Sequence, residues 1–320
     1  MQQTLRHFLT GLSIGAANVI PGVSGGTIAL LMGVYGRLLG AIGHLTGEPL
    51  RQVRARRWRQ AWAAADGPFL ATLGAGMVVS IFTFARLFEW LLRTREVETM
   101  AFFFGLILLS ILYVGQGVRH WRADRLIALL AGAAVAAGVA LLAPASENPD
   151  PVYVFICGVV AVASMILPGL SGSFVLLMMG NYALVLGAVG HLHWPVLIPM
   201  TLGCVVGLLG FSRLLDWVLK RWRDLTLALM TGFVLGSLAV IWPWKHKATV
   251  DITRADGGVK TVVTGFDWYL PDVSIATALA LALMALGALS VWLLETRVGR
   301  MDDRRNGSAS GSGSEGSPHG

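Results

Sequence analysis

Residues 21–45 read PGVSGGTIALLMGVYGRLLGAIGHL, and residues 168–192 read PGLSGSFVLLMMGNYALVLGAVGHL. Aligned without gaps, 14 of these 25 positions are identical, among them Pro21/Pro168, Ser24/Ser171, Tyr35/Tyr182 and His44/His191. A second block repeats downstream: GMVVSIFTFARLFEWLL (76–92) against GCVVGLLGFSRLLDWVL (203–219). It places Arg86 opposite Arg213, Glu89 opposite Asp216 and Trp90 opposite Trp217, and Gly105 then falls opposite Gly232. The first block repeats at an offset of 147 and the second at 127; the difference of 20 is the basic loop 46–66, which the first half alone carries. Chance likeness between apolar segments does not put Pro, Ser, Arg, His and Trp in the same order.

The repeat is set in a chain of 320 residues that is 55% hydrophobic and 13% charged, with mean hydropathy +0.67. A soluble domain carries about 25% charged residues, so the chain reads as a polytopic membrane protein. The first apolar run has no small-residue cleavage site, so no cleavable leader is expected. The net charge of +7 is no signal for nucleic acid, because the arginines cluster in loops between apolar segments. Cys157 and Cys204 lie in apolar segments, with no disulfide or metal spacing. The Gly/Ser-rich stretch 306–320 is set aside as an appended linker.

Apolar stretches run roughly over 5–20, 27–45, 67–92, 99–118, 125–143, 151–167, 173–190, 195–219, 224–244 and 272–294. A spanning helix needs about 20 residues. The stretches that precede the two PG motifs fall short, reaching only about 20–24 Å at 1.5 Å per residue. Two re-entrant hairpins follow, 5–45 and 151–190, each a pair of half-length helices joined at its tip by the PG motif. Two full-length helices per hairpin would return the chain to the same side and leave the topology unchanged. The fold class is thus an all-α integral membrane protein with two inverted-topology repeats, six full transmembrane helices and two re-entrant helical hairpins. The first repeat covers 1–118, a linking transmembrane helix lies within 119–150, and the second repeat covers 151–244. A loop 245–271, a last transmembrane helix within 272–300 and a tail 301–320 complete the chain. The alternation in KATVDITR and KTVVTGFDWYL, with ADGG between them, predicts a small β-hairpin in that loop.

Lys and Arg set the orientation. If the six long segments each cross once, 16 of the 25 Lys and Arg residues fall on one side, including Arg6, the five arginines of loop 46–66 and the C-terminal cluster. Six fall on the other: Arg93, Arg95, Lys245, Lys247, Arg254 and Lys260. Both termini are therefore expected in the cytoplasm and the loop 245–271 outside. The two halves then run in opposite directions, and an inverted repeat with broken helices near the midplane is a transporter layout.

The tips have the chemistry of an anion site. In the first, Gly22, Gly25 and Gly26 allow several N–H groups to converge, Ser24 adds a hydroxyl, and the helix from Thr27 presents its positive end. Gly169, Ser171, Gly172 and Ser173 repeat the arrangement. A tight turn packed on neighbouring helices is the plainer reading of one such motif; two copies entering from opposite leaflets favour a polar-ligand site. Arg86 and Arg213 are costly inside apolar spans. Each has an acid at i+3, Glu89 or Asp216, on the same helix face. They either snorkel to the boundary or reach inward as a fork for phosphate, with the acid holding each Arg in an empty site. Arg37 has Leu184 as its repeat mate; it is either a ligand-binding residue on the cytoplasmic side or an interface residue. His44 and His191 sit at the base of each hairpin. A duplicated His is suited to proton coupling, and a helix-end His bonding a free carbonyl is the other reading. A sodium ion is the alternative coupling ion.

Enzymatic chemistry finds no footing. A Ser nucleophile needs a base within reach, and the first acid in the chain is Glu48, beyond the first hairpin. No HExxH, paired carboxylates or Walker motif occurs, so no metal or other cofactor is expected.

The two PG[VL]SG[GS] hairpins, the F[AS]RL helix followed by EW or DW, and the opposed halves together resemble the PopT-type polyprenyl-phosphate transporters. The resemblance covers essentially residues 1–300, with IPGVSGGT as its most specific part. It implies a flippase that returns undecaprenyl phosphate, or a similar polyprenyl phosphate, from the outer to the cytoplasmic leaflet of the bacterial inner membrane. Carried over residue by residue, the phosphate-handling candidates are Ser24 and Ser171 with their flanking glycines, Arg86 and Arg213. The partners implied are that lipid and the surrounding membrane lipids, with no nucleic acid. The motif is also similar to the PGxSRS signature of undecaprenyl-diphosphate phosphatase. Here Gly25 stands where that signature has Arg, and the partner glutamates are missing, which counts against a phosphatase. An ion-coupled small-anion transporter would use the same anion site and stays open as the alternative. The oligomeric state is not legible.

Overall fold

The computed structural model describes residues 2–19, 24–142, 144–253 and 259–310. Pro21 and Gly22 of the first tip, the ADGG turn and the last ten residues lie outside this set, and for Glu89 only the backbone is described. The chain opens with α1 (Gln2–Val19), α2 (Gly25–Leu31) and α3 (Tyr35–Gly43). The basic loop forms α4 (Glu48–Arg54) and α5 (Trp58–Ala64), and three long helices follow: α6 (Gly67–Thr94), α7 (Glu96–Gln116) and α8 (Ala123–Leu141). The second half repeats the order with α9 (Pro151–Ile166), α10 (Gly172–Met178), α11 (Tyr182–His191), α12 (Trp194–Arg221) and α13 (Arg223–Ile241). A hairpin of β1 (Lys245–Thr253) and β2 (Val259–Trp268) precedes α14 (Ile275–Ser310). Proline opens α4, α6, α9 and α12 in the first turn, where its missing N–H has no intrahelical acceptor to lose. Asp150 caps α9 by accepting from the N–H groups of Val152 and Tyr153 at 2.9 and 3.0 Å.

Glycines bring the long helices into backbone contact, as small residues do where no hydrophobic effect drives helices together. A Cβ on Gly76 would collide with the carbonyl of Phe8, so α6 lies directly against α1. The matching Gly203 sits on the carbonyl of Phe155, so α12 lies against α9. Gly105 meets the carbonyl of Met284 and Gly232 that of Leu129, which pairs α7 with α14 and α13 with α8. The last helix of the first repeat, α7, thus packs on α14, and the last helix of the second, α13, packs on α8. Between them α7 and α13 pack through a buried cluster of Phe103, Phe104, Ile107, Val234 and Ile241.

The second arm of each hairpin differs from expectation. The runs 27–45 and 173–190 are not single half-length helices. Each divides in two, with bends of 116° between α2 and α3 and 110° between α10 and α11. The cause is a second glycine in each copy: Gly33 and Gly180 adopt φ of +69° and +79°, a left-handed conformation that stops a helix. The strands pair antiparallel as expected, with a bulge at Ala248/Thr249. Among the described residues five helices are long and apolar enough to cross a membrane, α6, α7, α12, α13 and Ile275–Leu293 of α14, or up to seven if each bent pair is one span. The sixth expected span corresponds to α8, which has 19 residues.

Candidate functional site at the paired tips

The start of α2 meets the end of α9, and this brings the two PG motifs into direct contact. Ser24 is 5% exposed and donates to the carbonyl of Leu167 at 3.3 Å. Thr27, 1% exposed, accepts from the N–H of Gly169 at 3.2 Å. A Cβ on Gly26 would stand 2.7 Å from the carbonyl of Ile166, so glycine is required for this approach. Tyr35 reaches the same turn and donates from its hydroxyl to the carbonyl of Ile166 at 3.0 Å. Gly169 itself holds φ +81° and presses on the carbonyl of Phe233 in α13. The carbonyls of Ile166 and Leu167 and the N–H of Gly169, freed by the break after α9, are thus bonded to side chains of the first half, as a membrane interior requires.

The two tips are not equivalent. In the first, Asn18 Oδ1 accepts from Gly25 N–H at 2.9 Å and Ser24 Oγ accepts from Gly26 N–H at 3.2 Å. In the second, Met165 stands at the position matching Asn18 and has no such acceptor. Ser171 does not cap α10; its hydroxyl pairs with that of Ser173 at 3.0 Å. Gly172 is buried against the carbonyl of Ala161, while Ser173 is exposed. The second tip therefore keeps two hydroxyls and an uncapped helix start available to an acceptor-rich group such as a phosphate. The β-hairpin leans over it: Phe266 stacks on Phe174 with ring centroids 6.4 Å apart, and Lys245 Nζ sits 4.8 Å from the Phe266 ring centre.

The charged candidates take other partners. Arg213 donates through Nε to the carbonyl of Gly43, the last residue of α3. Asp216 does not hold Arg213; it pairs with Lys220 at 2.6 Å, one helical turn on. The i+3 spacing made that pairing look natural, but an orphan helix-end carbonyl outcompeted it for the guanidinium. Arg86 is exposed and, among the described residues, makes no hydrogen bond or ion pair. Arg37 forks onto Asp66 at 2.6 and 2.9 Å, touches His7 Nε2 at 3.3 Å and stacks 4.3 Å above the Phe69 ring. This hydrogen bonding holds the Asp66 carboxyl below its ordinary range. His44 turns Nδ1 onto the carbonyl of Gly40 at 2.6 Å, and His191 lies exposed at the end of α11. No group of three His, Cys, Asp or Glu that could hold a metal occurs among the described residues.

Sequence reasoning missed Asn18, Tyr35, His7 and Asp66 as parts of these assemblies. Asn18 had a signal, being a lone amide one turn before the first PG motif where the second copy has Met165. Tyr35 had another, recurring as Tyr182. His7 and Asp66 had none, because they meet Arg37 only through the packing of α1 and α6.

Comparison with known proteins adds a family. The model of the undecaprenyl phosphate translocase-like family matches residues 14–260. The polyprenyl-phosphate transporter of Vibrio cholerae is 45% identical over 242 residues, covering 76% of this chain and 79% of that protein. The protein of the same name from Staphylococcus aureus is 29% identical over 255 residues, 74% of this chain and 86% of that one. No solved structure matches the chain.

Proposed function

The chain belongs to the undecaprenyl phosphate translocase-like family, and from that membership we propose that it carries a polyprenyl phosphate, undecaprenyl phosphate first among them, from the outer to the cytoplasmic leaflet. It does so as a multi-pass protein of the bacterial inner membrane with both termini cytoplasmic. Two inverted halves, six full spans and two re-entrant hairpins make up the machine, and alternating access follows from exchanging the conformations of the halves. The observation that supports this best is the junction of the tips, where Ser24 and Thr27 of one half bond the backbone of Leu167 and Gly169 of the other. A transporter must shield a phosphate across about 30 Å of hydrocarbon. Ser171, Ser173 and the backbone of Gly172, joined by Gly22, Ser24, Gly25, Gly26, Thr27 and Gly169 as the tips part, replace water around the headgroup. Arg86 and Arg213 neutralise its charge and Arg37 serves the cytoplasmic end, while the isoprenoid tail stays in lipid. His44 and His191 are the groups suited to pass a coupling proton.

The reading is of a carrier, not an enzyme. Gly25 follows the serine of the first tip, and neither hairpin, 5–45 or 151–190, contains an Asp or Glu to serve as a base. The test is ligand-induced thermal stabilisation of the purified protein. Polyprenyl monophosphate is expected to raise Tm, inorganic phosphate at equal concentration is not, and polyprenyl diphosphate is expected to release no phosphate. A response to inorganic phosphate alone would support a small-anion carrier instead. Release from the diphosphate would make the protein a phosphatase.

A further inference from the structure

The repeat predicts contacts in pairs, and one pair is half made. Arg213 of the second half bonds the carbonyl that ends α3 of the first half. The mates of these residues by the offsets of 127 and 147 are Arg86 and Gly190, near the end of α11. Arg86 is exposed without a partner among the described residues. A Cβ on Gly43 would lie 3.1 Å from Arg213, whereas one on Gly190 would meet nothing within 4 Å. The α11 helix rests instead on its own half, with Ala188 against Val154 and Val196.

The chemistry on both sides of the unmade contact matches the made one. The last carbonyls of a helix lack intrahelical donors and carry partial negative charge, so each hairpin's lateral helix offers the same acceptor to a guanidinium. Around Arg213, a buried cluster contains Leu39 and Leu215 with Phe211 and Leu219 packed against it. Their mates are Leu186, Phe88, Phe84 and Leu92, also apolar. An equivalent interface between α11 and α6 therefore needs no new residue types.

We propose that Arg213 and Arg86 are latches that close the path on opposite faces, Arg213 on Gly43 in the state seen here and Arg86 on Gly190 in the alternate state. This rests on the transport reading and deepens it. Each arginine exchanges a helix-end carbonyl for the phosphate headgroup, so the latch that is open is the one free to meet the ligand. With both termini cytoplasmic, the latched face is the cytoplasmic one and the outer face is the unlatched one.

The test reads burial without any lipid ligand. Cys157 and Cys204 are replaced by Ala, and Leu39→Cys, 2% exposed in the parent, reports on the latched interface to a membrane-impermeant maleimide. Leu215→Cys is the second reporter should the first fail to fold. Arg213→Ala is expected to raise labelling on the order of ten-fold, the weight of a charge-assisted hydrogen bond, and Arg213→Lys far less. Arg86→Ala is expected not to raise it. Adding Arg86→Ala to Arg213→Ala is expected to restore protection, because removing the opposing latch rebalances the two states. A merely structural Arg213 would not be rescued this way. Parental labelling in Arg213→Ala, equal labelling in both single variants, or a double variant as reactive as Arg213→Ala would each overturn the latches. Flat labelling with polyprenyl phosphate transport intact rejects the latches alone. The expected pattern without such transport rejects the substrate and keeps the latches.

Discussion

Gly169 joins both hairpins to the centre of the protein through three constraints: φ of +81°, contact with the carbonyl of Phe233, and an N–H bonded to Thr27 Oγ1. Gly169→Ala is expected to cost about 1–3 kcal/mol from the backbone conformation alone, read as a lower Tm of the purified protein, with the collision at Phe233 adding to it. Thr27→Val keeps the shape and leaves the Gly169 N–H unsatisfied, for about 1–3 kcal/mol, whereas Thr27→Ser is expected to be near neutral. Equal melting of the Val and Ser variants would show that the bond across the tips contributes nothing. At this scale the sequence told where the tips are, through Pro, Gly and Ser. It did not tell that they touch, because a hydrogen bond across 142 residues leaves no local pattern.

The elements between the tips and the long helices are held by short polar straps. Arg37, Asp66 and His7 tie α3 to the starts of α6 and α1. The Arg37 and Asp66 side chains are 49% and 35% exposed, so solvent screening leaves about 0.5–1 kcal/mol for the pair. Because the folded-state pKa of Asp66 lies below its unfolded value, this contribution is present above the ordinary carboxylate pKa of about 4 and is lost as pH falls through the lower folded value. Asp66→Asn is therefore expected to melt slightly lower than the parent at pH 5–8 and to converge with it at lower pH. A difference that persists unchanged in acid would assign the strap no electrostatic role. The hairpin arms show where reading by apolar runs fails. Residues 28–43 are continuously apolar apart from one arginine, and glycine inside an apolar run is tolerated in membrane helices, so Gly33 carried no stop signal until its φ was known. The β-hairpin was legible because alternation survives short strands.

For the whole molecule, the repeat in the sequence reappears as matched crossings. Gly105 and Gly232, opposite each other at an offset of 127, each seat a neighbouring helix, α14 and α8. Either Gly→Leu change is expected to force these backbones apart and lower Tm by the equivalent of about 1–3 kcal/mol or more, the two variants behaving alike. Unequal losses would argue that the halves are not built on one plan. The crossing of partners, α7 with α14 and α13 with α8, could not be read from the chain, since apolar helices carry little that names their neighbour. Nor could the unequal capping of the two tips, of which only the Asn18/Met165 difference is written in the chain. The carrier reading itself is tested most directly in liposomes holding the purified protein, with polyprenyl monophosphate placed in one leaflet and its arrival in the other followed by a membrane-impermeant phosphate-directed reagent. Transfer faster than in protein-free liposomes, and slowed by Ser171→Ala with Ser173→Ala, is the result expected. Lipid that stays in its leaflet while inorganic phosphate crosses would contradict it.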